Sequence, residues 1–259
     1  MSLVPAASRA LAILRVLAKH GQPITAAAIA KELDLPRSST YQLLEALVAE
    51  DFVVHFENES RWGLGVVAFE LGNAYLRHDP IERFARPLLK ELVGATEAQV
   101  PAVGQLGILV GDEVLYLLKE LPLHPVTVVS DIGVRLPAHL TASGRAMLSR
   151  LDQKQLRATY SETRSTDALT NRTGLGPNRL AELKKQLEID RRLGYAIEDG
   201  QISTGYCSVS VAAVNHLNLP TAALTLTFRS EDASESDRLE IARLLMAAAS
   251  KLSKRMGAK

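Results

Sequence analysis

The sequence predicts an α+β chain of two domains, a small helical module closed by a hairpin and a larger domain with helices packed on a sheet. Three observations predict it. The first 65 residues hold three short helical periods separated by tight turns, followed by two short strand-like runs around a polar turn. Later runs such as Val114–Leu118, Val209–Val214 and Ala222–Phe228 are apolar and strand-length, with antiparallel-type connections. Helical periods stand at both ends and in the middle of that second region. We place the small module at 8–66, a connecting helix at 67–79 and the larger domain at 80–254.

In the first module Ser8 is placed to cap a helix whose apolar stripe is Leu11, Leu14 and Leu17, widened by Ile13 and Val16. His20-Gly21-Gln22-Pro23 ends it. Thr25 is the next cap, with Ile24 and Ile29 at staple positions around the helix Ala26–Leu33. Asp34-Leu35-Pro36 turns the chain into a third helix, whose Thr40, Leu43, Leu44 and Leu47 share a core face. Arg37, Ser38, Ser39, Tyr41 and Gln42 are left at its N-terminal end or on the opposite face. Arginine and glutamine match guanine and adenine edges, and hydroxyls bond phosphates or bases. Phe52–Phe56 and Arg61–Leu64 flank Glu57-Asn58-Glu59-Ser60 as a wing, from which Arg61 could reach a DNA backbone or minor groove. Arg9 adds a cation at the start of the first helix. Val66–Arg77 continues as a helix with Phe69 and Leu76 on one side, and Asp79-Pro80 ends it.

Charge gives this reading no help. The 259 residues carry a net charge of +1. In residues 1–78, seven Lys/Arg face eight Asp/Glu. DNA contact must then come from a few well-placed cations and not from bulk attraction. One cysteine gives no internal disulfide, no apolar stretch is long enough for a membrane span, and no signal peptide is visible, so the expected compartment is the cytoplasm.

The larger domain opens with a helix at Ile81–Val93 that turns Phe84, Leu88, Leu89 and Leu92 to one side. Leu106–Val110 and Val114–Leu118 form a hairpin about Gly111-Asp112-Glu113, and Val126–Val129 reads as a further strand. Leu136–Gly144 leads into a helix ending at Leu151, and Thr159–Gly176 is a polar surface excursion. Leu180–Leu193 is helical and Gly194–Ile197 leaves it as a strand. Val209–Val214 and Ala222–Phe228 pair, and a helix from Ser234 to Leu252 closes the domain. A pocket between the sheet and its loops would draw on His139, Thr141 and Ser143, on Asp199, Cys207 and Ser208, and on Leu106 and Gly107 in the first strand. A helix start near Thr141 or Ser143 would suit a carboxylate. His139 fits a structural hydrogen bond better than a ligand role, and Cys207 an inert buried thiol better than a reactive one.

The quoted segments also carry a resemblance. Ser8-Arg9-Ala10, Ile29-Ala30-Lys31-Glu32-Leu33, Leu35-Pro36-Arg37-Ser38-Ser39 and Trp62-Gly63-Leu64-Gly65 stand in the first half. Gly133-Val134-Arg135-Leu136-Pro137-Ala138-His139, Thr141-Ala142-Ser143-Gly144-Arg145-Ala146 and Arg192-Leu193-Gly194-Tyr195-Ala196 follow in the second. In order and spacing the chain resembles the IclR-type family of bacterial transcriptional regulators. The resemblance implies a winged helix-turn-helix joined by a linker helix to a GAF-like effector-binding domain, assembled as dimers or pairs of dimers. It implies operator DNA and a small organic acid or aromatic metabolite as partners. Two positions depart from the family pattern. Gln42 stands where the recognition helix usually has a basic residue, and Cys207 follows Gly205-Tyr206 where an arginine is usual.

Rival classes fit less well. There is no Walker or dinucleotide glycine pattern, and His20, His55, His78, His124, His139 and His216 are too scattered for a metal site, so no cofactor and no metal is expected. Ser143 and His139 lack the elbow, oxyanion donors and third member of a hydrolase site, so no catalytic residue is assigned. A protein-interaction module without DNA binding, and a regulator whose second domain is only an oligomerisation scaffold, remain as alternatives.

Overall fold

The computed structural model describes residues 4–78, 80–124, 128–160 and 169–258. The chain forms two compact units, residues 1–79 and 80–259.

In the first unit helix α1 spans Pro5–His20. It begins before Ser8 because Pro5, with its fixed φ, suits the first helical turn. Ser8 therefore lies inside the helix, its hydroxyl donating to the Val4 carbonyl at 3.3 Å instead of capping. The buried stripe is Ile13, Val16 and Leu17, while Leu11, expected inside, is exposed. Gly21 ends α1 at φ 64, a left-handed cap that glycine adopts without strain. Helix α2 (Ala26–Glu32) is capped by Thr25, whose side chain accepts from the Ala28 amide at 3.3 Å. Helix α3 (Arg37–Ala49) buries Thr40, Leu44 and Leu47 against it.

Strands β1 (Val53–Phe56) and β2 (Arg61–Leu64) form the hairpin, Phe56 opposite Arg61. Ile24 does more than staple α2. It extends the hairpin, exchanging backbone hydrogen bonds with Trp62 at 3.0 and 2.8 Å. Gly65 lets the chain turn hard into α4 (Val66–His78), because a Cβ there would stand 2.2 Å from the Asp51 carbonyl oxygen. On α4 Phe69 is exposed, and the side chain of Leu76 lies outside the described residues.

The second unit is built on one antiparallel sheet in the order β5-β4-β3-β8-β7-β6. Its strands are β3 (Val103–Val110), β4 (Glu113–Glu120), β5 (Arg135–Pro137), β6 (Ala196–Asp199), β7 (Tyr206–Val214) and β8 (Pro220–Arg229). Helices α5 (Pro80–Thr96) and α9 (Glu235–Arg255) pack on one face through Leu88, Leu89, Leu92, Ile241, Leu245 and Leu252. Helix α6 (Ala142–Leu148) lies on the other face, with α8 (Leu180–Leu193) and α7 (Gln153–Thr159) joining its apolar cluster.

Several expectations are corrected here. The strands β3 and β7 begin earlier than their apolar runs, since Gln105 and Ser208 take full part in the pairing. Strand β5 has only three residues at the sheet edge, too few to show alternation. Helix α7 was not anticipated, although Asp152 and Gln155 form a capping box that marks its start. Of the strand expected at 126–129, Val126 and Thr127 lie outside the described residues, and Val128 and Val129 are not in a strand. Residues 161–168 of the expected surface excursion also lie outside them. Among the described residues no helix is long and apolar enough to cross a membrane.

Candidate functional site

Helix α3 divides its residues sharply. Thr40, Leu44 and Leu47 are buried, while Arg37, Ser38, Tyr41 and Gln42 are exposed and Ser39 is half-buried. No side chain caps the start of α3, and its first turn has no acidic residue. The free amides and the positive end of the helix dipole are thus presented beside the Arg37 guanidinium, a combination suited to phosphate. Tyr41 is held edge-on against Trp62 at 6.3 Å, and His55 stacks on the same indole at 4.0 Å. The wing and the helix face are therefore braced on one buried tryptophan.

The other two predicted cations sit apart from this turn in the chain. Arg9 is exposed on α1. Arg61 donates from Nη1 to the Pro23 carbonyl at 3.3 Å and lies 4.0 Å from Glu59, so its guanidinium is partly occupied within the unit.

In the second unit a cavity opens between the sheet and the start of α6. Strand alternation explains its lining. On β7 Cys207, Val209 and Val211 point to the α5–α9 core, while Ser208 and Ser210 point the other way; on β8 Leu224, Leu226 and Phe228 oppose Thr225 and Thr227 in the same manner. Cross-strand pairing then joins the polar residues into rows. Ser208 faces Thr227 with their hydroxyls 3.0 Å apart, and Ser210 faces Thr225 at 2.8 Å. Thr227 donates to the Gln105 side-chain oxygen at 3.0 Å, and the Gln105 amide donates to the Ser130 carbonyl at 2.9 Å and also to its hydroxyl. Across the cavity Tyr116 and Ser143 share a hydrogen bond of 3.0 Å, and burial pushes the Tyr116 phenol up to about 12, so it keeps its proton.

Glu198 on β6 is the one carboxyl among the described lining residues. Only 2% exposed, it sits opposite Ser208. Its Oε1 accepts from the Gln201 and Ile202 amides at 2.8 and 3.0 Å. Burial raises its pKa, opposed by the Ile202 amide, the nearby Ser208 hydroxyl, the Gln201 amide and the charge of Arg145. Arg145, on α6, is also buried, donates to the Ile197 carbonyl, and lies 3.5 Å from buried Asp190. Burial likewise raises Asp190, opposed by Arg145 and by a hydrogen bond from Gln186.

The predicted pocket residues divide. Thr141, Ser143 and Ser208 line the cavity, with Thr141 also capping α6 by accepting from the Gly144 amide at 3.0 Å. Leu106 and Cys207 lie on the opposite face, inside the core with α5 and α9. Burial there pushes the Cys207 thiol up to about 12, which makes it unreactive. Gly107 stays under β4, where an added Cβ would meet Val114 at 2.6 Å, and does not line the cavity. Asp199 points to the Cys207 side and accepts from Ser230 at 2.6 Å and Arg238 at 2.8 Å. His139 lies outside the lining, its Nε2 2.7 Å from the Thr170 carbonyl and its ring edge-on to Tyr160. Residues that sequence reasoning passed over include Tyr116, Thr225, Thr227 and Gln105. The alternation Ser208-Val209-Ser210 and Thr225-Leu226-Thr227, polar on one side only, was the available signal. Among the described residues no group of three or more His, Cys, Asp and Glu could hold a metal ion.

Two family models match the chain: the IclR helix-turn-helix domain over residues 6–55 and the bacterial transcriptional regulator IclR C-terminal domain over residues 73–254. The chain is 27% identical over 254 residues to the HTH-type transcriptional repressor AllR of Escherichia coli, covering 98% of this chain and 91% of that one. Its fold is similar to an IclR transcriptional regulator from Alicyclobacillus acidocaldarius (TM-score 0.82, 23% identity, 99% and 100% of the two chains). It is also similar to an IclR homolog from Microbacterium hydrocarbonoxydans complexed with 4-hydroxybenzoate (TM-score 0.74, 20% identity, 97% and 98%).

Proposed function

Because the chain belongs to the IclR family of bacterial transcriptional regulators, which are not enzymes, we propose that it reads operator DNA with α3 and its wing and that a small molecule in the cavity of the second unit tunes this binding. The observation that carries the DNA half is the uncapped, acid-free first turn of α3, exposing Arg37, Ser38, Tyr41 and Gln42 above a buried apolar face. In the proposed geometry Arg37 and Gln42 read base edges while Ser38 and Ser39 bind phosphate or bases. Arg9 and Arg61 serve as backbone contacts, Arg61 after releasing Pro23. Operators are read by symmetry-related pairs of such modules, so the working species is a homodimer or a pair of dimers.

The sensing half rests on the buried polar rows of the sheet. A scaffold domain would gain by filling this face with apolar side chains, since buried polar groups contribute little net stability even when bonded. An occupant of organic-acid or aromatic-metabolite size is proposed, and the 4-hydroxybenzoate held by one similar protein supports that size.

Mobility-shift titration of the full-length protein at fixed salt tests the first half. Arg37→Ala and Gln42→Ala should each weaken operator binding by about 1–3 kcal/mol, as expected for good base contacts. Unchanged affinity in both would sink the groove geometry. For the second half, Ser208→Trp should fill the cavity and abolish the effect of any active compound on operator affinity.

A further inference from the structure

The polar row beside the cavity spends its hydroxyl protons within itself. Gln105 presents its side-chain oxygen to Thr227, whose hydroxyl proton is spent in that bond. In the Ser208–Thr227 contact at 3.0 Å the donor must then be Ser208. Ser208, paired opposite Glu198, thus has its one proton committed to Thr227 and not to the carboxyl beside it. The backbone amides of Gln201 and Ile202 are both used on Glu198 Oε1.

The buried charges lean the same way. Arg145, Asp190 and Glu198 are 1%, 3% and 2% exposed, one cation against two carboxyls. Arg145 is engaged with Asp190 and with the Ile197 carbonyl and does not line the cavity. A ligand carboxylate placed here would bring a third acidic group beside Asp190 and Glu198. A hydroxyl, amide or ammonium group would donate to Glu198 and cost no added repulsion.

We propose that Glu198 selects the ligand of this cavity: an uncharged or cationic molecule that donates hydrogen bonds to it, an alcohol, primary amide or amine, is bound in preference to a free carboxylate. This deepens the effector reading above and rests on it. Tyr116, Ser143, Thr225 and Thr227 complete a hydroxyl-rich wall that tolerates further polar groups on the same molecule.

The test compares matched sets of probes on the full-length protein by calorimetry and thermal shift. One set is 4-hydroxybenzoate, 4-hydroxybenzamide and 4-hydroxybenzyl alcohol; a second is lactate, lactamide and propane-1,2-diol. In the wild type the amide or alcohol of at least one set should bind about tenfold tighter than its acid, the size of one charge-assisted hydrogen bond. Glu198→Gln, which puts a donor where only acceptors stood, should lower that ratio about tenfold or invert it. Loss of packing alone would weaken all members together and leave the ratio unchanged. Tighter binding of the acids in the wild type, a ratio unmoved in Glu198→Gln, or no binding by any probe would each overturn the proposal. If Glu198→Gln does not fold, the wild-type ratio decides alone. Acid binding that is tighter than that of the matched amide and alcohol and is abolished by Ser208→Trp would overturn the donor rule while keeping the cavity as the effector site. Binding that survives Ser208→Trp would overturn the cavity reading itself.

Discussion

Strands β7 and β8 present two faces with opposite chemistry. Toward α5 and α9 they offer Cys207, Val209, Val211, Leu224, Leu226 and Phe228, all in the apolar core. Toward α6 the same strands offer Ser208, Ser210, Thr225 and Thr227, joined in cross-strand hydrogen bonds. The first face stabilises by removing apolar area from water and filling space. The second gains little from burial, since its hydroxyls exchange bonds to water for bonds to one another. Helix α3 repeats the division on a small scale, with Leu44 and Leu47 inside and Arg37 and Gln42 outside. The lesson is that apolar packing and polar presentation are assigned to alternate residues of the same elements. A residue one step away in sequence belongs to a different problem.

Substitutions should separate the two faces by size of effect. Phe228→Ala, at a position with no exposure, should destabilise the protein by about 3–5 kcal/mol in urea unfolding, the range for a large buried aromatic. A loss below about 1 kcal/mol would mean that the α5–α9 face is loosely packed.

The acid response of His139 comes next. Burial lowers its pKa, against the Thr170 hydrogen bond and the charge of Asp112. The unfolded chain therefore takes up a proton near pH 6.5 that the folded chain refuses. Its contribution to stability is whole above that value and is lost as the pH falls through it toward the lowered folded pKa. The slope cannot exceed about 1.4 kcal/mol per pH unit for one proton. Comparing unfolding of wild type and His139→Gln between pH 7.5 and 5.5 should show the wild type losing more. Equal losses would place this protonation elsewhere.

Thr227→Val should cost the least, about 1 kcal/mol, because it removes hydrogen bonds of modest net worth while keeping the shape. It should nevertheless weaken ligand binding measured by calorimetry, since Ser208 and Gln105 both lose their partner. If Thr227→Val unfolded the protein as far as Phe228→Ala, the two faces would not differ in kind.

Much of this was legible beforehand. The helix-turn-helix and its wing were readable because caps, tight turns and core periods are local: Thr25 before α2, Gly21 after α1, and the polar turn between β1 and β2. The residues that α3 leaves exposed follow from a period of 3.6 alone. Leu180–Leu193 was also found with its limits intact. The pocket was legible only in part. Thr141, Ser143 and Ser208 reach the cavity, but Cys207 and Asp199, their neighbours in sequence, do not. Once β7 is paired, its alternation sends Cys207 to the core, while Asp199 on β6 is held by Arg238 from α9.

The sequence by itself determined the elements, their order and the face that α3 leaves free, since each depends on residues within a few positions of one another. Only the tertiary structure decided which side chains meet. Gln105 and Thr227 are 122 residues apart and share a hydrogen bond, and Arg145 and Ile197 join across 52. Sheet register and the seating of α6 on Ala138, where a Cβ on Gly144 would come within 2.2 Å of a carbonyl oxygen, set those meetings. The Glu198 wall of the cavity is their product, because strand pairing is a long-range choice that no local pattern encodes.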